Sequence, residues 1–323
     1  MSTLALLLLA GMLITYVVLD GYDLGIGSIL YFFARSDEKR GRAIASIGPY
    51  WNGNEVWLIA AGGVLFALFP RAYAVALSGF YLPFMLILWL LIGRGIALEL
   101  RGHYANQLWH DFWDLTFCLT SAALVLLLGV ALGNLLRGVP LDGNGTFVGS
   151  FGLLLNPYAL LVGFFSLVLL AQHGWCYLRM QLPQEAVPAR VTQLLWWLAL
   201  LLDCTVAVIT LTMHPLTGRK LWVAGGFGFI ALLALIMVGV YSARRLTLSA
   251  FLASSLVLAT LLGAAVANVY PNLITSSNAQ ASLTIFACAP AGGAAIAILT
   301  IVALGLISVY SYLAVVLAKL AGK

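Results

Sequence analysis

Nine stretches of about twenty apolar residues recur along the chain, and each is long enough, at 1.5 Å of rise per helical residue, to cross a hydrocarbon layer of about 30 Å. They lie near 4–33, 51–69, 73–98, 115–136, 158–179, 193–213, 221–241, 247–268 and 293–318. Strands of a membrane barrel would alternate apolar and polar side chains over about ten residues. These runs do not alternate, so the pattern predicts an all-α, polytopic membrane protein. Composition agrees: 63% of residues are hydrophobic and 8% charged, against roughly a quarter charged in a soluble domain. The longest connections, near 99–114, 137–157 and 269–292, leave no room for a soluble domain. The chain is read as one transmembrane domain over 1–323, with helices 1–4 in about 1–136, helices 5–8 in about 158–268 and helix 9 in about 293–318.

Lysine and arginine concentrate in the cytoplasmic loops of such proteins. Arg35, Lys39, Arg40, Arg42, Arg101, Arg179, Arg190, Arg244, Arg245, Lys319 and Lys323 fall on one side of this threading. The other side has Arg71, Arg137, Arg219 and Lys220, while Arg94 lies inside the third run. The N-terminus is therefore expected outside and the C-terminus in the cytoplasm. The net charge of +5 follows from this asymmetry and gives no reason to expect nucleic acid as a partner. The first run lacks a basic leader and continues past signal-peptide length into Asp20-Gly-Tyr-Asp23, which marks it as a retained helix.

Ionisable side chains inside such runs cost about 3 kcal/mol each on insertion scales, so they are functional-site candidates by default. Asp20 lies about 24 Å beyond Leu4, toward the cytoplasmic side, and Asp23 lies further still. Asn52 and Glu55 open the second run, Arg94, Glu99 and Arg101 close the third, and Asp111, Trp113 and Asp114 lead into the fourth. All fall on the cytoplasmic half; Asp203, in the middle of the sixth run, is the exception. Asp20 and Asp23 share a helix face, as do Asn52 and Glu55. Two adjacent carboxylates in a low dielectric do not both ionise cheaply, so one holds a proton that the pair can pass on. Arg94 and Glu99 are about 140° apart around their helix, so Arg94 is expected to face a carboxylate of the first or second helix. A purely fastening role for the same charges is the competing reading, and the one-sided clustering is more than fastening needs.

Other candidates are weaker. His173 and Cys176 are three apart and share a face, compatible with a metal or haem ligand, yet a hydrogen-bonded packing histidine fits equally. Cys118, Cys176, Cys204 and Cys288 fall in or near different runs with no Cys-x-x-Cys pair, which suggests neither a disulfide framework nor an iron–sulfur site. The glycines of Asp20–Gly27 and Gly62-Gly63 follow no strand, so they are read as close helix packing and not as a nucleotide loop.

Five segments carry a family resemblance: Asp20-Gly-Tyr-Asp-Leu-Gly-Ile-Gly27, Gly48-Pro-Tyr-Trp-Asn-Gly-Asn-Glu-Val-Trp57, Ala61-Gly-Gly-Val-Leu-Phe66, Arg94-Gly-Ile-Ala-Leu-Glu-Leu-Arg101 and Gly133-Asn-Leu-Leu-Arg-Gly-Val-Pro140. In order and spacing they resemble subunit II of the cytochrome bd-type quinol oxidases, and the likeness runs through Tyr270-Pro271 and Ala281-Ser-Leu-Thr284 to the last run. The first two segments are the specific ones. The resemblance implies two four-helix bundles plus one helix, paired with a homologous larger subunit I, in a bacterial cytoplasmic membrane. Subunit I would carry the haem b and haem d groups and oxidise quinol; small single-helix subunits would complete the complex. This chain would bind no haem and would contribute a proton path from the cytoplasm. Glu99 then corresponds to an acid of that path, and Asp20 and Asp23 to the paired acids of the first helix, with Arg94 beside them.

One departure bears on that path. The family usually has Trp-Asp-Gly-Asn where this chain has Trp51-Asn-Gly-Asn54, and Asn52 hydrogen-bonds water but carries no titrating proton. Either Glu55 takes over or the proton enters through subunit I. The competing function classes are an ion-coupled secondary transporter, which calls for paired midplane helix breaks, and an inert membrane scaffold.

Overall fold

The computed structural model describes residues 1–182, 188–289 and 293–321. Lys323, and the side chain of Lys319, counted above among the cytoplasmic cations, lie outside that description. Helix α1 (Ser2–Phe33) is followed by α2 (Asp37–Ile47), α3 (Trp51–Leu68), α4 (Pro70–Gly79), α5 (Tyr81–Leu100), α6 (Gln107–Arg137), a single turn α7 (Phe151–Leu154), α8 (Pro157–Gln181), α9 (Ala189–Met213), α10 (Arg219–Ala243) and α11 (Thr247–Val269). A short antiparallel ribbon, β1 (Asn272–Ile274) with β2 (Leu283–Thr284), then leads into α12 (Ile285–Cys288) and α13 (Gly293–Ala321). Among the described residues, α1, α5, α6, α8, α9, α10 and α11 are long and apolar enough to cross a membrane. Helix α3 has 18 residues, about 27 Å, and carries Glu55. Helix α13 offers a shorter apolar stretch, Ile296–Ser311. The all-α membrane architecture read from the apolar runs is present.

Three local expectations are corrected. The run at 73–98 is not one helix but two, α4 and α5, parted at Phe80. Pro83 explains the break: in a continuous helix its missing N–H would leave the Gly79 carbonyl unbonded, whereas as the third residue of α5 it loses nothing. The basic connection after α1 is itself helical. Ser36 caps α2, its hydroxyl accepting from the Lys39 N–H, and Asp37 and Glu38 occupy the first turn, where acids favour the positive helix end. Helix α6 starts at Gln107, eight residues earlier than its apolar run, with the Asn106 side chain capping the Leu108 N–H.

Helix α1 is the axis of the molecule, with α3, α6, α8 and α11 packed around it. Its meeting with α8 is backbone against backbone: a Cβ on Gly25 would fall 1.9 Å from the Leu170 carbonyl oxygen, and one on Gly174 2.5 Å from the Ile26 nitrogen. The glycines of 20–27 are thus close-packing sites, as read. Gly62 and Gly63 are not, since apart from their own helix nothing among the described residues lies within 4 Å of where their Cβ atoms would be.

Candidate functional site

The Gly25 crossing holds α1 rigidly, and the turn before it carries the acids. Asp20 and Asp23 are fully buried, as is Arg94 from α5. Arg94 grips Asp20 with both arms: Nη2 donates to Oδ1 at 2.6 Å and Nη1 to Oδ2 at 3.1 Å. This two-point geometry is the strongest carboxylate recognition a side chain offers. The same guanidinium stands 3.9 Å from Asp23 Oδ2 and 3.8 Å from Glu55 Oε2. Asn54 Nδ2 donates to Asp23 Oδ2 and to Tyr22 Oη, each at 2.8 Å. Arg94 Nε and Asp23 Oδ1 find no hydrogen-bond partner among the described residues. One cation therefore faces three carboxyl groups, and the cluster is electrically neutral only with two protons on board. Such a group can store and exchange protons, or it can clamp α1, α3 and α5 together.

The structure brings together Asp20, Asp23, Glu55 and Arg94, and Arg94 faces the first and second apolar runs as the helical angle required. It does not bring Asn52 or Glu99 there. Asn52 is exposed on α3, and Glu99 is exposed on α5. Asn54 was the residue missed. Its signal is the stripe Trp51, Asn54, Trp57, Ala61, Val64 and Leu68, spaced by three and four, which is the buried face of α3.

A second ionic network closes the α2 end of the bundle. Arg40 Nε donates to Asp114 Oδ2 at 2.7 Å, and its Nη2 bonds Asp111. Arg101 reaches Asp114 Oδ1 at 2.5 Å and Asp37 Oδ1 at 2.7 Å. Asp114 is fully buried, so it fastens α2, the end of α5 and the start of α6 in one bidentate node. Burial pushes the Asp37 carboxyl up, but its hydrogen bond with His110 and the charge of Arg101 outweigh that and hold it below the usual carboxylate range. From the sequence Arg101 falls in the same cytoplasmic group as Asp111 and Asp114, whereas Arg40 is a topology signal alone, and spacing holds no sign of which acid either one meets.

His173 does not fit an axial haem ligand. Its Nε2 donates to the Val18 carbonyl at 3.0 Å, which leaves Nδ1 to accept from the Ser254 hydroxyl at 2.7 Å, and its ring stacks on Phe251. Both nitrogens are already used in joining α8 to α1 and α11. Asp203 lies apart, buried on α9 beside an apolar cavity.

A family model described as cytochrome bd terminal oxidase subunit II matches residues 1–319. The chain belongs to that family. It is similar to the cytochrome bd-I ubiquinol oxidase subunit 2 of Escherichia coli K12, 41% identical over 179 residues, which cover 54% of this chain and 47% of that protein. It is also similar to the cytochrome bd ubiquinol oxidase subunit 2 of Bacillus subtilis 168, 35% identical over 175 residues, covering 54% of this chain and 52% of that one. The matched segment spans about half the length of these curated relatives. Among solved structures, that of the bd oxidase from Geobacillus thermodenitrificans superposes with a TM-score of 0.80, covering 99% of this chain and 98% of that chain at 18% identity. At that identity the likeness speaks for the fold. The matches agree with the resemblance carried by the segments around Asp20 and Trp51.

Proposed function

We propose that this chain is the haem-free accessory subunit of a bd-type quinol:oxygen oxidoreductase in a bacterial inner membrane. It would pair with a larger subunit I that holds the haem b and haem d groups and the quinol site, with small single-helix subunits and lipid completing the complex. Its N-terminus would face outward and its C-terminus the cytoplasm, by the distribution of Lys and Arg. The observation that carries the reading is the fully buried Asp20–Arg94 pair, with Asp23, Asn54 and Glu55, in a member of this family. One face of α3 leaves Asn52, Val56 and Ile59 exposed, and one face of α5 leaves Trp89, Ile92, Ile96 and Glu99 exposed. A large apolar partner would bury such faces, and it would bring Asn52 and Glu99 into the interior of the complex.

In this reading the cluster takes protons from the cytoplasmic side and relays them toward subunit I, with Glu55 in the place of the acid that Asn52 lacks. The test uses quinol-driven oxygen consumption per assembled complex. Glu55→Gln and Glu99→Gln keep shape and hydrogen bonding but remove titration, and both are expected to slow turnover. Asn52→Asp in the Glu55→Gln background is expected to restore part of it, one helical turn away. Unchanged turnover with reduced assembly would assign the cluster to fastening. Slowed turnover that Asn52→Asp does not rescue would place proton entry in subunit I.

A further inference from the structure

We infer that the α2 end of the bundle, where α8 ends, α9 begins and α10 turns into α11, holds a surface site for an anionic glycerophospholipid, its phosphodiester head over a cluster of arginines and an acyl chain along α9. The site goes beyond the oxidase reading and does not depend on it. Tyr177 Oη on α8 donates to the Ser46 carbonyl on α2 at 2.9 Å, which sets the level in the bundle. Arg179, two residues further, ties three helix ends together: its Nη1 donates to Thr192 Oγ1 on α9 at 3.3 Å and to the Ser242 carbonyl on α10 at 3.4 Å. Arg190 lies two residues before Thr192, about 3 Å along α9. Arg244 and Arg245 follow Ser242 in a tight turn, where the Arg245 N–H donates to the Ser242 carbonyl and the Leu246 N–H to the Tyr241 carbonyl. Four arginines thus meet at one corner of the bundle.

None of the four forms an ion pair among the described residues. Arg190, Arg244 and Arg245 are exposed, whereas Arg179 is only 8% exposed. A topology signal needs charge in a loop; it does not need a guanidinium withdrawn from water onto two uncharged acceptors. That charge calls for an anion close by. A phosphodiester seated on the three exposed arginines supplies it through its field, without touching Arg179. Glu185 is the acid nearest in sequence and lies outside the described residues; its pairing with Arg179 is the competing reading. Beneath Arg190 the surface of α9 is apolar. Leu194, Trp197 and Leu201 follow Arg190 at spacings of four, three and four, all exposed, in one line about 16 Å long. Trp196 Nε1 donates to the Leu235 carbonyl at 2.8 Å and holds α9 against α10, so the line keeps its place beside the arginines. Basic charge at the helix ends, set over an apolar track, is the complement of an amphiphile, and a cluster of this size selects a net negative head over a zwitterionic one.

The full-length chain, in the membrane assembly in which it is extracted, would be exchanged into detergent containing phosphatidylglycerol or phosphatidylcholine, each with a photoreactive diazirine in one acyl chain. After illumination the labelled peptides would be mapped by mass spectrometry. Phosphatidylglycerol is expected to label 190–201 about tenfold more than phosphatidylcholine does. That labelling should fall about tenfold in Arg190→Gln/Arg244→Gln/Arg245→Gln. It should persist in Arg190→Lys/Arg244→Lys/Arg245→Lys, which keeps the charge, and in Arg219→Gln at the other end of α10. Should the glutamine variant not assemble, competition on the unaltered protein gives the same answer: excess unlabelled phosphatidylglycerol suppresses the labelling, whereas excess phosphatidylcholine or inorganic phosphate does not. Equal labelling by the two lipids, equal labelling in the glutamine variant, or suppression by inorganic phosphate would each overturn the assignment. Selective labelling that appears only in Glu185→Gln would give Arg179 a partner within the protein and overturn it as well.

Discussion

Arg94→Gln tests the energetics of the central cluster. The substitution leaves the Asp20 carboxyl fully buried without the two charge-assisted bonds, at 2.6 and 3.1 Å, that hold it. Removing one partner of a buried ion pair costs about 3–5 kcal/mol, because the other is left uncompensated. Asp20→Asn is milder. The guanidinium keeps Asp23 at 3.9 Å and Glu55 at 3.8 Å as counter-charges, and the amide oxygen still accepts one bond, so about 2 kcal/mol is expected. The double variant removes both charges of the bidentate pair and should cost less than the sum of the two, with a coupling of about 1–3 kcal/mol. The assay is the heating midpoint at which the detergent-solubilised assembly loses its monodisperse chromatographic peak. Arg94→Gln should lower that midpoint by an amount on the order of 10 °C, and Asp20→Asn by about half of that. A drop under about 2 °C for Arg94→Gln, or strict additivity in the double variant, would refute the reasoning.

Gly25→Ala places a methyl 1.9 Å from the Leu170 carbonyl oxygen, so α1 and α8 must part; a loss of about 3 kcal/mol or more is expected, read as failure to accumulate in membranes, whereas Gly53→Ala, with nothing among the described residues outside its own helix within 4 Å, should accumulate normally. The Asp37 carboxyl sits below its ordinary range, so the stability it lends to the α2 end is complete above the ordinary carboxylate pKa of about 4 and is lost as pH falls through the lower folded value. Hydrogen exchange across 37–47 should therefore accelerate on acidification below about pH 4 in the native chain, and Asp37→Asn should flatten that response; an unchanged response would assign it to other groups. His173→Leu leaves the Val18 carbonyl and Ser254 without their partner and should lower the heating midpoint while leaving haem content per assembled complex unchanged. Haem lost in proportion to His173 would show a ligand where both nitrogens are engaged.

The membrane fold was legible because it follows from the solvent: twenty apolar residues have few alternatives to a spanning helix. Within it, Arg94 could be assigned to the first and second helices from helical angle alone, since a buried guanidinium must meet acid somewhere and Glu99 was on the wrong face. What periodicity does not encode is which of several exposed-looking polar residues turns inward. Asn52 was favoured over Asn54 through the family pattern, but the Trp51–Trp57 stripe decides the buried face of α3. The break at Phe80 depends on Pro83 three residues later, and hydropathy is blind to it because both flanks are apolar. Helix α2 carries too many charges to register as a span, although Ser36-Asp-Glu is a helix-start signal. Its fastening through Arg40 to Asp114 joins residues 74 positions apart and is a tertiary fact.

The central claim is that this chain serves a quinol oxidase without itself holding haem. It is tested most directly by affinity purification through a tag on this chain, followed by a reduced-minus-oxidised spectrum and quinol-driven oxygen consumption. The account predicts b- and d-type haem bands and turnover in the assembly, with all of the haem on a larger co-purifying subunit after the two are separated. An assembly without haem or oxygen consumption, or haem that stays with this chain after separation, would contradict it.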